Sequence, residues 1–72
     1  MNAKTQPVHI SQINAGDTVE HEGQIRTVSY NDIKVDSFIG RTLFGDSYRL
    51  GFKAVLKVVA WIGKEGNEVP VR

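Results

Sequence analysis

Cysteine is absent from the 72 residues of this chain, which removes disulfides and thiolate metal sites at once. Histidine is nearly as scarce. His9 and His21 are too few to close a zinc site without carboxylate help, so neither a metal nor a cofactor is expected. Long apolar runs are missing too. The most apolar stretch, Ala54 to Ile62, is interrupted by Lys57 and falls far short of the ~20 residues that span a bilayer. Met1 to Gln6 is polar and lacks the apolar segment of a secretory signal. A helical apolar stripe is absent from every long window, and there is no phosphate-cradling GxxxxGK loop. These absences argue against a membrane span, a secreted disulfide scaffold and a helical bundle. They lead us to expect a cytoplasmic protein with no membrane partner.

What the chain does have is glycine at short intervals: Gly16, Gly23, Gly40, Gly45, Gly51, Gly63 and Gly66. The gaps hold strands of about four to eight residues and little else. Thr18 to His21 and Gln24 to Tyr30 read as a hairpin turned by Glu22-Gly23. Ile25 and Val28 break alternation in its second strand, which predicts a bulge or a strong curl there. Gly40 to Phe44 reads as a third strand, closed by Gly45-Asp46-Ser47. Phe52 to Trp61 is the clearest strand, with Phe52, Ala54, Leu56, Val58 and Ala60 on a wholly apolar face. Pro70 confines the last segment to an edge strand or a tail. Asn31 to Phe38 reads as a short strand over Ile33–Asp36 or an irregular loop in preference to a helical turn, although Ser29 and Asp32 have capping-box-like spacing.

The expected fold is therefore all-β: a small SH3-like curled sheet or barrel of four to five short antiparallel strands, with at most one helical turn. It divides into an N-terminal lead-in over residues 1–9, a single β domain over 10–62, and a C-terminal tail or edge strand over 63–72. A domain of this size buries only roughly 60% of its unfolded surface, so self-association would help it.

Several segments share a spacing with known sequences. Ile13-x-x-Gly16-Asp17-x-Val19, Gly23-x-x-Arg26-Thr27-Val28, Asp32-Ile33-Lys34 and the stretch TLFGDSYRLG, Thr42 to Gly51, are the residues concerned. In these the chain resembles a group of short proteins encoded by tailed bacteriophages and prophages, over about Ile10 to Val59. The resemblance implies a phage or prophage origin and a role inside an infected bacterium, and it carries no activity over. The Gly16-Asp17-x-Val19 turn is also similar to the first hairpin of many SH3-like barrels, which bears on fold and not on activity.

Catalytic chemistry finds little support. Gly45-Asp46-Ser47 matches the start of a lipase nucleophile block, but a nucleophilic serine needs a base within hydrogen-bond reach, and a turn whose Asp and Ser bond local backbone is the better reading. His21-Glu22, with Glu20, could hold a metal only by borrowing ligands from elsewhere. No catalytic residue is assigned, and the chain is read as a binding protein and not as an enzyme.

Charge is nearly balanced overall, at +1, but unevenly placed. Residues 1–36 hold three basic and five acidic side chains, and residues 37–72 hold six and three. In the basic half, cations interleave with aromatics. Arg41, Tyr48, Arg49, Lys53, Lys57 and Trp61 are taken as the partner surface, while Phe44 and Phe52 are assigned to the core. Tyr, Trp and Arg are enriched in protein–protein hot spots, so a host or phage protein is the expected partner. The same mixture of cations and rings suits nucleic acid, the second reading. A homo-oligomer that self-assembles or sequesters a small ligand is the third.

Overall fold

The computed structural model describes residues 2–71. Met1 and Arg72, the outer ends of the lead-in and of the tail, lie outside the described residues. The chain is antiparallel and all-β: β1 (Asn2–Val8), β2 (Thr18–His21), β3 (Gln24–Thr27), β4 (Ile33–Asp36), β5 (Gly40–Leu43), β6 (Val55–Ile62) and β7 (Glu68–Pro70), with single 3-10 turns between some of them. The sheet order is β1-β6-β2-β3, with β7 also on β6, and β4-β5 form a separate two-stranded ribbon. No helix among the described residues is long and apolar enough to cross a membrane.

The strand count, seven, exceeds the expected four to five because the residues read as a lead-in form β1 and those read as a tail or edge strand form β7. Asn2 to Val8 runs the length of β6, from Asn2 facing Ile62 to Val8 facing Val55. Its sequence, NAKTQPV, carries almost no apolar signal because the strand is an edge with one face in solvent. Both prolines obey the edge rule: Pro7 lies in β1 and Pro70 in β7. Ile33–Asp36 is a short strand, one of the two forms expected there. The spacing of Ser29 and Asp32 also takes effect just before it, as a capping box on a 3-10 turn.

Glu22 and Gly23 turn the β2–β3 hairpin with φ of 51° and 80°, the two left-handed positions that a type I′ turn requires. Of the bulge or curl expected in its second strand, the bulge is not there, since Thr18 to His21 pairs with Thr27 to Gln24 in unbroken register. Ile25 simply faces outward, and Val28 is buried beyond the strand end.

The bulge lies instead between β1 and β6. Thr5 faces Val58 while Lys4 faces Ala60, so Val59 is the extra residue. The extra residue shifts the phase of alternation and bends the strand. In this register Val55 and Ala60 share one face, and Val58 lies on the other. All three are buried. The uniform apolar face expected over Phe52–Ala60 is thereby broken, and the strand begins at Val55, leaving Phe52, Ala54 and Leu56 exposed. The main core joins Ile10, Ile13, Val19, Val28, Leu43, Tyr48 and Val55. Ile10 and Ile13 clip the segment after β1 onto it.

Candidate functional site

The segment Phe44 to Gly51 turns twice within eight residues. Leu43 and Asp46 each donate a backbone N–H to the other's carbonyl at 2.9 Å, enclosing Phe44 (φ 54°) and Gly45 (φ 80°). Asp46 Oδ1 then accepts the Tyr48 N–H at 2.8 Å, and Ser47 Oγ accepts the Leu50 N–H at 3.4 Å. Asp46 and Ser47 thus bond local backbone, as the turn reading of Gly45-Asp46-Ser47 required.

Next the chain enters a left-handed path. Tyr48, Arg49, Leu50 and Gly51 have φ of 50°, 52°, 58° and 93°. Left-handed backbone costs an L-residue about 1–2 kcal/mol, and three of these four are not glycine. Local backbone bonds hold the turn. Gly51 donates to the Tyr48 carbonyl at 2.9 Å, Phe52 to that of Arg49 at 3.1 Å, and Lys53 to that of Tyr48 at 3.0 Å. Gly51 also lies flat on His9, where a Cβ would sit 2.7 Å from His9 Nε2. His9 is itself fixed by Ser11, whose N–H reaches Nδ1 at 3.1 Å.

The first turn meets the Glu22-Gly23 turn across a cleft of about 530 Å³, bordered by Glu20, His21, Glu22, Asp46, Tyr48 and Lys53 among others. His21 is buried at its floor. Its Nδ1 is 2.5 Å from the Tyr48 hydroxyl, and its ring lies 5.0 Å from that of Phe44, centroid to centroid. Phe44 also carries the Arg26 guanidinium at 3.9 Å, close enough for a cation–π contact. Burial pushes the Tyr48 phenol above its ordinary pKa of 10.0, and the negative charges of Asp46 and Glu22 add to the effect. The floor is acidic, through Glu20, Glu22 and Asp46. Lys53 borders the cleft as well, and the turn leading to it, an outer rim of basic and apolar side chains, exposes Arg49, Leu50 and Phe52.

The six residues chosen from sequence do not share one surface. Arg49 and Lys53 stand together on the rim. Tyr48 is 4% exposed and belongs to the core, so its role as a surface anchor is corrected: its hydroxyl is committed to His21 and its ring to the core cluster. Arg41 belongs to the β4–β5 ribbon, where its Nη2 donates to the Ile13 carbonyl at 2.5 Å and it borders a depression with Tyr30 and Val35. Lys57 lies 3.8 Å from Asp17. Trp61 faces Ala3 and Val69 in the sheet and borders a third depression, beside Ile25. Phe52, expected in the core, is 92% exposed, because the left-handed turn lifts it off the sheet before β6 begins. Phe44 is half-buried against the core, close to expectation.

Sequence reading missed Leu50 and Phe52 as rim residues and Asp46 as the neighbour of His21. The run Tyr48-Arg-Leu-Gly51 held one usable signal, a glycine just before the strongest strand. Comparison with protein-family models, with curated proteins and with solved structures finds no match to this chain.

Proposed function

We propose that this chain is a small non-enzymatic binding module that docks on a protein through the cleft rim. In keeping with the phage resemblance, its setting would be the cytoplasm of an infected bacterium, and the partner a host or phage protein. One observation carries the reading: Leu50 and Phe52, 61% and 92% exposed, are raised into solvent by a strained left-handed turn. Strain of this kind persists where surrounding structure enforces it, and it clusters at functional positions. Apolar side chains flanked by Arg49 and Lys53 suit a protein surface with an apolar hollow ringed by carboxylates. The engagement of the Ser47 hydroxyl by backbone, and of His21 Nδ1 by Tyr48, supports binding over catalysis.

The test is affinity capture from host lysate, with and without nuclease, using the wild type and Phe52→Ser. Phe52 makes no core contact, so the variant keeps its circular dichroism spectrum. The expected result is a protein retained by the wild type, indifferent to nuclease, and lost from Phe52→Ser. Retention of the same protein by the variant sinks the choice of surface. Capture abolished by nuclease would transfer the reading to nucleic acid, whose affinity would then fall steeply with salt. A concentration-dependent oligomer that dissociates on Phe52→Ser would identify the rim as a self-association surface.

A further inference from the structure

Below the rim, two turns that are distant in sequence bring three donor atoms together. One from each of His21, Glu22 and Asp46 lies within 4.8 Å of the others. The geometry points to a site for one divalent transition cation, held by His21 Nε2 and the carboxylates of Glu22 and Asp46. It lies on the floor and uses none of the rim residues, so it stands or falls apart from the partner reading.

His21 carries the inference. Its side chain is 8% exposed, and its Nε2 makes no hydrogen bond among the described residues; Glu22 Oε1 is 4.0 Å away, beyond hydrogen-bond reach. That nitrogen is not sealed off: the only fully enclosed side-chain N or O atom without a partner among the described residues is Arg41 Nε, and His21 lines the cleft, so Nε2 is open to a ligand entering it. The other ring nitrogen is already fixed by the Tyr48 hydroxyl. That is the arrangement of a ligating histidine: one nitrogen on the metal, the second oriented by an outer hydrogen bond that sets the tautomer. With the hydrogen on Nδ1 donated to the Tyr48 oxygen, the lone pair of Nε2 is left free for a cation, 4.0 Å from Glu22 Oε1.

Neither Glu22 nor Asp46 is paired with a lysine or arginine among the described residues. Two carboxylates beside an imidazole therefore lack a cation. Around a zinc ion, donors at about 2.0–2.2 Å lie roughly 3.3–4 Å apart, so closing the site takes about 1 Å of side-chain movement. Glu22, 80% exposed, has that freedom. One nitrogen and two oxygen donors suit zinc, manganese, cobalt or nickel better than magnesium or calcium, which take oxygen ligands. Three protein ligands leave at least one coordination position open to the cleft.

The experiment is calorimetric titration of the tag-free protein with Zn²⁺, with Mg²⁺ as control, followed by nitrogen-15 spectra of the two histidine rings. One Zn²⁺ per chain is expected, with the His21 ring shifted and His9 unmoved. Glu22→Gln, on an exposed side chain, and Asp46→Asn should each weaken zinc by at least about tenfold. Tyr48→Phe keeps the buried ring but frees Nδ1, and should weaken zinc about 10- to 100-fold while the circular dichroism spectrum of the metal-free protein stays unchanged. Glu22→Gln alone decides if Asp46→Asn does not fold. A folded wild type that takes up no zinc, a zinc response confined to His9, equal binding of Mg²⁺, or an affinity that survives Glu22→Gln would each overturn the site.

Discussion

The β1–β6–β2 sheet and the Tyr48–Gly51 turn lie close in the chain but are stabilised in opposite ways. In the sheet, local preference and tertiary packing agree. Val19 and Val55 are β-branched, extended and fully buried, so backbone and side chain favour the same state. In the turn they conflict. Tyr48, Arg49 and Leu50 are forced into left-handed backbone; Tyr48 is buried in the core in return, but Arg49 and Leu50 stay exposed. Where a sequence breaks its own local rules without a packing gain, the displayed surface is the remaining reason for the shape.

Three substitutions probe this contrast. Ile13→Ala removes a fully buried side chain from the core and should cost about 2–5 kcal/mol, most of the stability of a domain this small. Urea denaturation would show the midpoint collapse; a midpoint shifted only slightly would mean that the core relaxes around the cavity. Leu50→Gly should act in the other direction. It relieves left-handed strain but loosens the unfolded chain, for a net gain of up to about 1 kcal/mol, while partner capture weakens. A loss of stability would show that Leu50 packs where it is seen exposed.

The smallest effect concerns acid. Asp32 Oδ2 accepts the Ser29 N–H and hydroxyl at 2.8 Å each, and the backbone bond first, then the hydroxyl, hold its pKa below the ordinary 3.8, with Arg26 adding to the effect. A depressed carboxylate pKa contributes stability that is present above the ordinary value and is lost as pH falls through the folded-state one. Asp32→Asn should therefore flatten the acid limb of a stability–pH curve measured from about pH 6 to pH 2 and leave the neutral plateau nearly level. An unchanged acid limb would exclude Asp32 as a contributor.

The same contrast governs how much could be read from sequence. The Glu22-Gly23 turn announces itself through glycine at the second position, and Ser29 with Asp32 through spacing, because local chemistry determines both. The turn after β5 is marked by Gly45 but starts one residue earlier than expected, with Phe44 in the turn and not in the strand. The all-β class follows from the same punctuation. Asn2–Val8 was hidden because an edge strand with one face in solvent needs no apolar pattern. The Val59 bulge was hidden because a one-residue slip leaves no compositional mark, yet it rearranges which residues of β6 share a face. The site was the least legible. Tyr48 and Phe52 exchange their expected places because of three left-handed residues that no propensity favours. Asp46 reaches His21 only because two hairpins converge, which is a property of the assembled fold.

The pairing of β1 with β6 also imposes an order in time. Asn2 faces Ile62 and Val8 faces Val55, so β1 is synthesised well before β6, and its partner does not exist until the residues between them have been made. Closing a loop of that size must precede any contact that rewards it. During synthesis the nascent chain can form the local β2–β3 and β4–β5 hairpins, but it cannot cover Val55 or set the bulge. The fold is thus completed in one late step, when β6 arrives and receives β1 along one edge and β2 along the other.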